Sequence, residues 1–212
     1  MNGIFRYEGI LNQTLCKIGK CMFLAALWLI TALPVFTIGA ANTALAYSVK
    51  KVREDQYGVW KPYWKSFRQN FRQATVTWGI IAIIHAVLIL SCYCAYSMYS
   101  NKIIGFAFPL VTGILTMIIV MCSSYVFPSI AYFTNSTKMI LKNCIMIAML
   151  NFYWTLLLVL LSVATILGSI LIPMGFLVVP ALTMLGKSWI LDKVFKKYMP
   201  REETIDMQPE ER

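Results

Sequence analysis

Residues 21–49 read CMFLAALWLITALPVFTIGAANTALAYSV, a long apolar stretch with no charged residue and one proline, Pro34. Proline disfavours a helical residue before it, and Thr37 offers an N-cap for a new helix. The stretch therefore predicts two helices, at Cys16–Leu33 and Thr37–Val52, joined by a tight turn. We interpret it as a helical hairpin.

Similar apolar stretches recur as far as Ile190, and hydrophobic residues make up 59% of the 212 residues. The mean hydropathy of +0.68 is also higher than soluble domains show. Since one crossing needs about 20 apolar residues, the chain predicts an all-α integral membrane bundle of about six transmembrane helices. The predicted spans are Cys16–Leu33, Thr37–Val52, Ala74–Tyr96, Gly105–Phe127, Asn143–Leu167 and Leu171–Ile190.

The second predicted span is short. About 16 residues at roughly 1.5 Å per residue reach about 24 Å, whereas the hydrocarbon core is about 30 Å thick. The segment therefore either crosses as one arm of the hairpin or is re-entrant. A single kinked crossing of both segments is disfavoured, because it would place Arg6, Lys17 and Lys20 on the outer side.

The formal net charge is +10. The basic residues flank apolar segments, where they set orientation and contact anionic membrane lipids, so no nucleic-acid partner is expected. The connection at 50–72 holds seven Lys and Arg residues, whereas the one at 97–104 holds only Lys102. Both termini are therefore predicted to be cytoplasmic.

Three proline- or glycine-containing segments resemble one another and begin near Thr37, Phe127 and Val179. They leave two architectures open, three related helical hairpins or a simple six-helix bundle. The candidate helix-break and packing residues are Pro34, Thr37, Gly39, Ala40, Pro128 and Pro180.

The segment 57–73 carries aromatic and basic residues at helical spacing, and Pro62 suits a first helical turn. It predicts an amphipathic helix at the cytoplasmic interface, either an in-plane membrane anchor or a docking surface for a partner. The candidate residues are Trp60, Lys61, Tyr63, Trp64, Lys65, Phe67, Arg68, Phe71 and Arg72.

Two amides and the only histidine lie within the predicted spans as candidate functional residues, namely Asn42, Asn151 and His85. They either bridge helices by hydrogen bonds or line a polar path for a solute. A bridging role is the simpler interpretation, since the spans contain no Asp, Glu or Arg.

The chain carries none of the familiar hydrolase or nucleotide-binding motifs, so it is predicted not to be an enzyme. No cofactor is predicted, and no metal site, because the six cysteines lack ligand spacing. We predict one transmembrane domain at 1–199, with a retained amino terminus, and a mobile polar tail at 200–212.

The segment LPVFTIGAANTAL at 33–45, together with WKSFRQNFRQA at 64–74, resembles the YesL family of bacterial multi-pass membrane proteins. The similarity extends more weakly through residues 127–131 to the basic end at 193–198. The resemblance implies a location in the bacterial cytoplasmic membrane and an unestablished molecular activity. It also implies an association with carbohydrate uptake systems, beside which such proteins are often encoded.

Two functional classes remain open. The first is a non-enzymatic accessory or scaffold protein that contacts a sugar importer complex through the segment 57–73. No E-A-A-x-x-x-G loop of the kind that a permease presents to its ATPase occurs in the chain. The second is a small independent channel or transporter for a polar solute, with Asn42, His85 and Asn151 along its path.

Overall fold

The computed structural model describes residues 4–54, 58–98, 102–133, 135–171 and 175–198. The predicted polar tail at 200–212 lies outside these ranges. Within them the chain forms helices and no strand, which confirms the all-helical prediction. The helices are α1 (Ile4–Ala32), a 3₁₀ turn (Val35–Thr37), α2 (Ile38–Arg53), α3 (Trp60–Met98), α4 (Lys102–Tyr132), α5 (Thr137–Leu150), α6 (Phe152–Leu171) and α7 (Gly175–Phe195).

Among the described residues, four helical segments are long and apolar enough to cross a membrane, which is typical of a multi-pass membrane protein. They are Leu15–Ala32 in α1, Trp60–Ala95 in α3, Ala107–Tyr132 in α4 and Phe152–Leu171 in α6. The helix α7 covers most of the sixth predicted span and runs antiparallel to α6, where Thr165 Oγ1 donates to Thr183 Oγ1 at 2.8 Å.

The amphipathic segment and the third predicted span form one continuous helix, α3, of 39 residues. No glycine or proline between Pro62 and Gly79 interrupts it. At 1.5 Å per residue the helix is about 58 Å long, nearly twice the hydrocarbon thickness. The segment 57–73 is thus helical from Trp60 onward, and of its two predicted roles the in-plane anchor does not agree with a helix that continues into a candidate spanning helix.

The fifth predicted span, Asn143–Leu167, is divided in the structure. Asn151 separates α5 from α6 with φ −119° and ψ 45°, outside the helical region. The helix α5 has 14 residues, about 21 Å at the helical rise. It is too short to cross alone and buries one face, made of Ile140, Cys144, Ile147 and Ala148.

Pro128 and Pro180 do not break helices. The helix α4 continues through Pro128, which is buried, and α7 continues through Pro180. Neighbouring helices and apolar surroundings tolerate a proline inside a spanning helix. The similar segments near Phe127 and Val179 thus lie inside helices, whereas the one near Thr37 begins a helix, so they do not mark equivalent positions of a repeat.

The short helix α2 occupies the centre of the bundle. It packs against α1, α3, α4 and α7 and buries more than half of its residues. Ala40, Thr43 and Ala44 are fully buried along it. Gly39 faces the backbone of α3, where a Cβ atom would lie 2.4 Å from the Ala74 carbonyl oxygen. Small side chains therefore permit the close approach of α2 and α3.

Candidate functional site

The aromatic residues in the first part of α3 pack against α1 and α2. Tyr63 is 0% exposed and belongs to an apolar cluster with Val49 and Val52 of α2 and Leu24 of α1. Its hydroxyl forms a hydrogen bond of 2.5 Å with the hydroxyl of Thr31. Tyr63 is thus an internal packing residue and does not contact lipid.

The other rings continue this packing along α3. Trp64 lies 5.7 Å from Trp60 and 5.5 Å from Phe67 between ring centroids, and Phe67 lies 5.5 Å from Phe71. Trp60 is the exposed member, at 53%, and its ring approaches Phe23 of α1 at 6.3 Å. Tyr63 and Trp60 therefore join α3 to the α1–α2 pair, whereas Phe71 packs against the larger apolar cluster that includes Tyr125 of α4.

The basic side chains of the same segment are exposed. Lys61, Lys65, Arg68 and Arg72, which we call the basic face, follow one another at helical spacing on one side of α3. None of the four forms an ion pair with any part of the chain that the structure describes. Lys61, Lys65 and Arg68 also border a groove of about 510 Å³ beside Trp60 and Trp64. The basic face is therefore available to an external anionic partner.

Beyond the basic face, α3 exposes apolar side chains. We call this set the apolar belt of α3, made of Val76, Ile80, Ile83, Ile84, Val87, Ile89, Leu90 and Tyr93. The belt extends about 26 Å along the axis, close to the hydrocarbon thickness. Arg72 lies about 6 Å before Val76 along the axis, and Lys61 about 22 Å before it. The basic face thus begins at one edge of the belt and extends away from it.

An ion pair holds the basic end of α2 to α7. The Arg53 guanidinium contacts an Asp192 carboxylate oxygen at 2.5 Å and donates to the Ser188 carbonyl at 2.8 Å. Both charged side chains are about three-quarters buried. Sequence reasoning missed this pair, although Asp192 is the only acidic residue between Asp55 and Glu202.

Cation–aromatic contacts also lie at the same end of the bundle. Lys50 Nζ lies 4.4 Å from the ring centroid of Tyr132, and Lys193 Nζ lies 4.8 Å from that of Trp154. The Tyr132 hydroxyl donates to the Ala46 carbonyl at 3.2 Å. These contacts connect the basic ends of α2 and α7 to aromatic side chains of α4 and α6.

The three polar candidates of the predicted spans, Asn42, His85 and Asn151, each have a local partner. Asn42 accepts a hydrogen bond from Trp28 Nε1 at 2.8 Å, joining α1 to α2. His85 Nδ1 lies 2.9 Å from the Ile81 carbonyl of its own helix. Asn151 donates to the Tyr198 hydroxyl at 2.8 Å and to the Ile147 carbonyl at 3.0 Å. These described bonds do not link the three residues into one polar path.

A second groove, of about 530 Å³, lies between α3 and α4. Its lining includes Leu88, Ile89, Pro109 and Thr112 and is mostly apolar. None of Asn42, His85 and Asn151 lines it. This groove is therefore not a polar path for a solute that these three residues could line.

The chain matches the sequence profile of a family described as "Protein of unknown function, DUF624" over residues 21–92. This is the family that includes YesL-like proteins. The matched region runs from the second half of α1 through α2 and most of α3. No curated protein and no solved structure matches the chain. The similarity therefore covers the hairpin and the basic face and implies no particular activity.

Proposed function

We propose that this protein is a non-enzymatic accessory or scaffold protein of the bacterial cytoplasmic membrane that binds an acidic surface of a cytoplasmic partner through the basic face of α3. One observation carries the proposal. Apart from Trp60, the aromatic side chains of this segment are wholly or partly buried within the bundle, whereas the four cations beside them are exposed and have no partner within the described chain. The exposed surface of this segment is thus mainly basic, and most of its aromatic side chains do not contribute to it.

The position of the charges favours a protein partner over lipid headgroups. The headgroup region adds about 5–8 Å on each side of the hydrocarbon core. Arg72, about 6 Å from the start of the apolar belt, is within reach of headgroups, whereas Lys61 lies about 22 Å from it along the axis. Lys61 and Lys65 therefore suit carboxylates of a protein that approaches the membrane from this side.

The positive-inside rule places the basic face in the cytoplasm. The amino end of α3, the basic end of α2 and the carboxyl end of α7 then share that side. The ion pair between Arg53 and Asp192 fixes α2 to α7 there. The basic face accordingly stands on a rigid, well-packed base, which reduces the entropic cost of docking.

We further propose that the partner is a component of a carbohydrate uptake system. The support is the resemblance to YesL-like proteins, which are often encoded beside such systems. The missing E-A-A-x-x-x-G loop indicates a subunit that accompanies a permease and does not replace it. An ATPase or a permease of a sugar importer, with an acidic cytoplasmic surface, is the expected partner.

The test is affinity purification in mild detergent from a bacterial host grown on a complex carbohydrate. The variant combines Lys61→Gln, Lys65→Gln, Arg68→Gln and Arg72→Gln. We expect recovery of the partner to fall about tenfold or more, since several exposed charge pairs of up to about 1 kcal/mol each are lost. Quantitative mass spectrometry of the bound fraction measures the change, and raising the salt concentration should weaken binding to the parent protein.

The matched control carries Lys138→Gln and Lys142→Gln, two exposed lysines on α5. It should bind the partner like the parent, and both variants should remain in the membrane fraction. Unchanged recovery with the four-residue variant would contradict the proposal. Recovery of the parent without a partner would favour an independent channel or transporter, for which flux into reconstituted vesicles is the measurement.

A further inference from the structure

The turn between α1 and α2 lies beside the middle of α3. Trp78 Nε1 donates to the Val35 carbonyl at 2.7 Å, and Gly39 contacts the backbone at Ala74. At 1.5 Å per residue, Trp78 lies about 27 Å from Trp60 and about 30 Å from Met98 along the axis. The helix α3 thus continues well past the turn.

This position coincides with one edge of the apolar belt. The belt begins at Val76, and the turn contacts α3 at Trp78. The helix α4 is likewise divided into an exposed apolar part and a packed part. Its exposed apolar side chains lie between Phe108 and Val120, whereas Tyr132 at its other end contacts α2. The α1–α2 hairpin accordingly lies beside the less lipid-exposed halves of both helices.

The turn exposes large apolar side chains. Leu33 is 79% exposed, Val35 69% and Phe36 61%, and we call these three residues the turn patch. On α3, Val76 and Ile80 are exposed close to the same level. The turn patch therefore lies at the depth where the apolar belt begins, although Val76 and Ile80 point away from the face of α3 that the turn contacts.

The backbone of the turn is hydrogen-bonded in the way that a hydrocarbon environment demands. The Thr37 hydroxyl donates to the carbonyls of Thr31 and Pro34, at 2.5 and 2.6 Å. The Thr37 amide donates to the Pro34 carbonyl at 2.8 Å, and the Trp78 indole satisfies the Val35 carbonyl. In a turn exposed to water, solvent molecules could donate these hydrogen bonds to the carbonyls in place of the side chains.

We propose that the tip of the α1–α2 hairpin is re-entrant: its two helices run beside the first part of α3, and only the turn at Pro34 enters the edge of the hydrocarbon core from the side of the basic face, with the turn patch among the acyl chains, before the chain returns to the same side. The helices α3, α4, α6 and α7 then cross the membrane. The length and composition of α1 would permit it to cross, but the far half of α3, about 30 Å long, extends beyond its end. The proposal does not depend on the partner or on the proposed function.

The test uses a cysteine-free background in which all six native cysteines are replaced by alanine. Single cysteines are introduced as Phe36→Cys, Ser97→Cys and Lys65→Cys and treated with a membrane-impermeant maleimide. Ser97→Cys and Lys65→Cys should react from opposite sides of the membrane. Phe36→Cys should react from neither side and become reactive only in detergent.

Labelling of Phe36→Cys from the side that labels Ser97→Cys would overturn the proposal, because the hairpin would then cross the membrane. Labelling from the side that labels Lys65→Cys would also overturn it, because the turn would then lie in water. In proteoliposomes, a fluorophore attached at residue 36 should be quenched by lipids brominated along their acyl chains. Absence of quenching would contradict insertion.

Discussion

A Gly39→Ala variant should be recovered in lower yield and unfold at a lower temperature than the parent. A Cβ atom at this position would lie 2.4 Å from the Ala74 carbonyl oxygen and 2.7 Å from the Trp78 Cβ. Neither atom can move by a rotamer change, so α2 must move away from α3. Overpacking of this kind costs about 1–3 kcal/mol or more, which lowers the melting temperature by about 5 °C in a chain of this size. Thermal unfolding in detergent measures the loss.

The matched control is Gly79→Ala, on α3 one residue beyond Trp78. A Cβ atom there meets nothing within 4 Å. Because alanine favours a helix by up to about 1 kcal/mol over glycine, this variant should be as stable as the parent or slightly more stable. Equal stability of the Gly39→Ala variant would show that α2 and α3 are not closely packed.

The α1–α2 hairpin was predicted from local sequence in its helix ends but not in its hydrogen bonds. Pro34 ends α1 and α2 begins next to Thr37, as the sequence predicts. The hydroxyl of Thr37 was expected to cap α2, but it donates to the carbonyls of Thr31 and Pro34 instead. The residue at which the helix ends follows from the backbone restrictions of proline. The hydrogen bonds of the turn also depend on the neighbouring helix α3, which a local sequence pattern does not reveal.

The extent of two helices was predicted wrongly for a different reason. Composition changes near Ala74, but a change of composition does not end a helix unless a residue such as proline or glycine breaks it. Conversely, Asn151 interrupts an apolar segment whose composition does not change, and its amide is stabilised by Tyr198 from the end of α7. The ends of an apolar segment therefore need not coincide with the ends of a helix.

The candidate site was predicted in part. Helical spacing placed the basic residues of α3 on one face from sequence alone. The burial of Tyr63 was not predictable, because it depends on α2 lying against this segment with Val49 and Val52 in contact. The packing of α1 and α2 therefore shows which side chains of this segment are internal, whereas its role as a docking surface stays a prediction.

An Asp192→Asn variant should be markedly less stable than the parent. The substitution removes the carboxylate that neutralises Arg53, while the guanidinium remains largely buried between α2 and α7. Loss of one partner from a buried ion pair costs about 3–5 kcal/mol. We expect about 2 kcal/mol here, because both side chains retain some solvent contact and Arg53 keeps its bonds to Ser188. Thermal unfolding in detergent is the measurement.

An uncharged pair should recover part of this loss. The double variant Arg53→Met with Asp192→Asn leaves no unpaired charge, so it should be more stable than Asp192→Asn alone. The control is Glu54→Gln, which removes the more exposed pair of Lys51 and Glu54, at 3.3 Å, and should cost only a few tenths of a kcal/mol. If Asp192→Asn were no more harmful than Glu54→Gln, the contact between Arg53 and Asp192 would not hold α2 to α7. The basic face would then lack the fixed base on which the proposed docking depends.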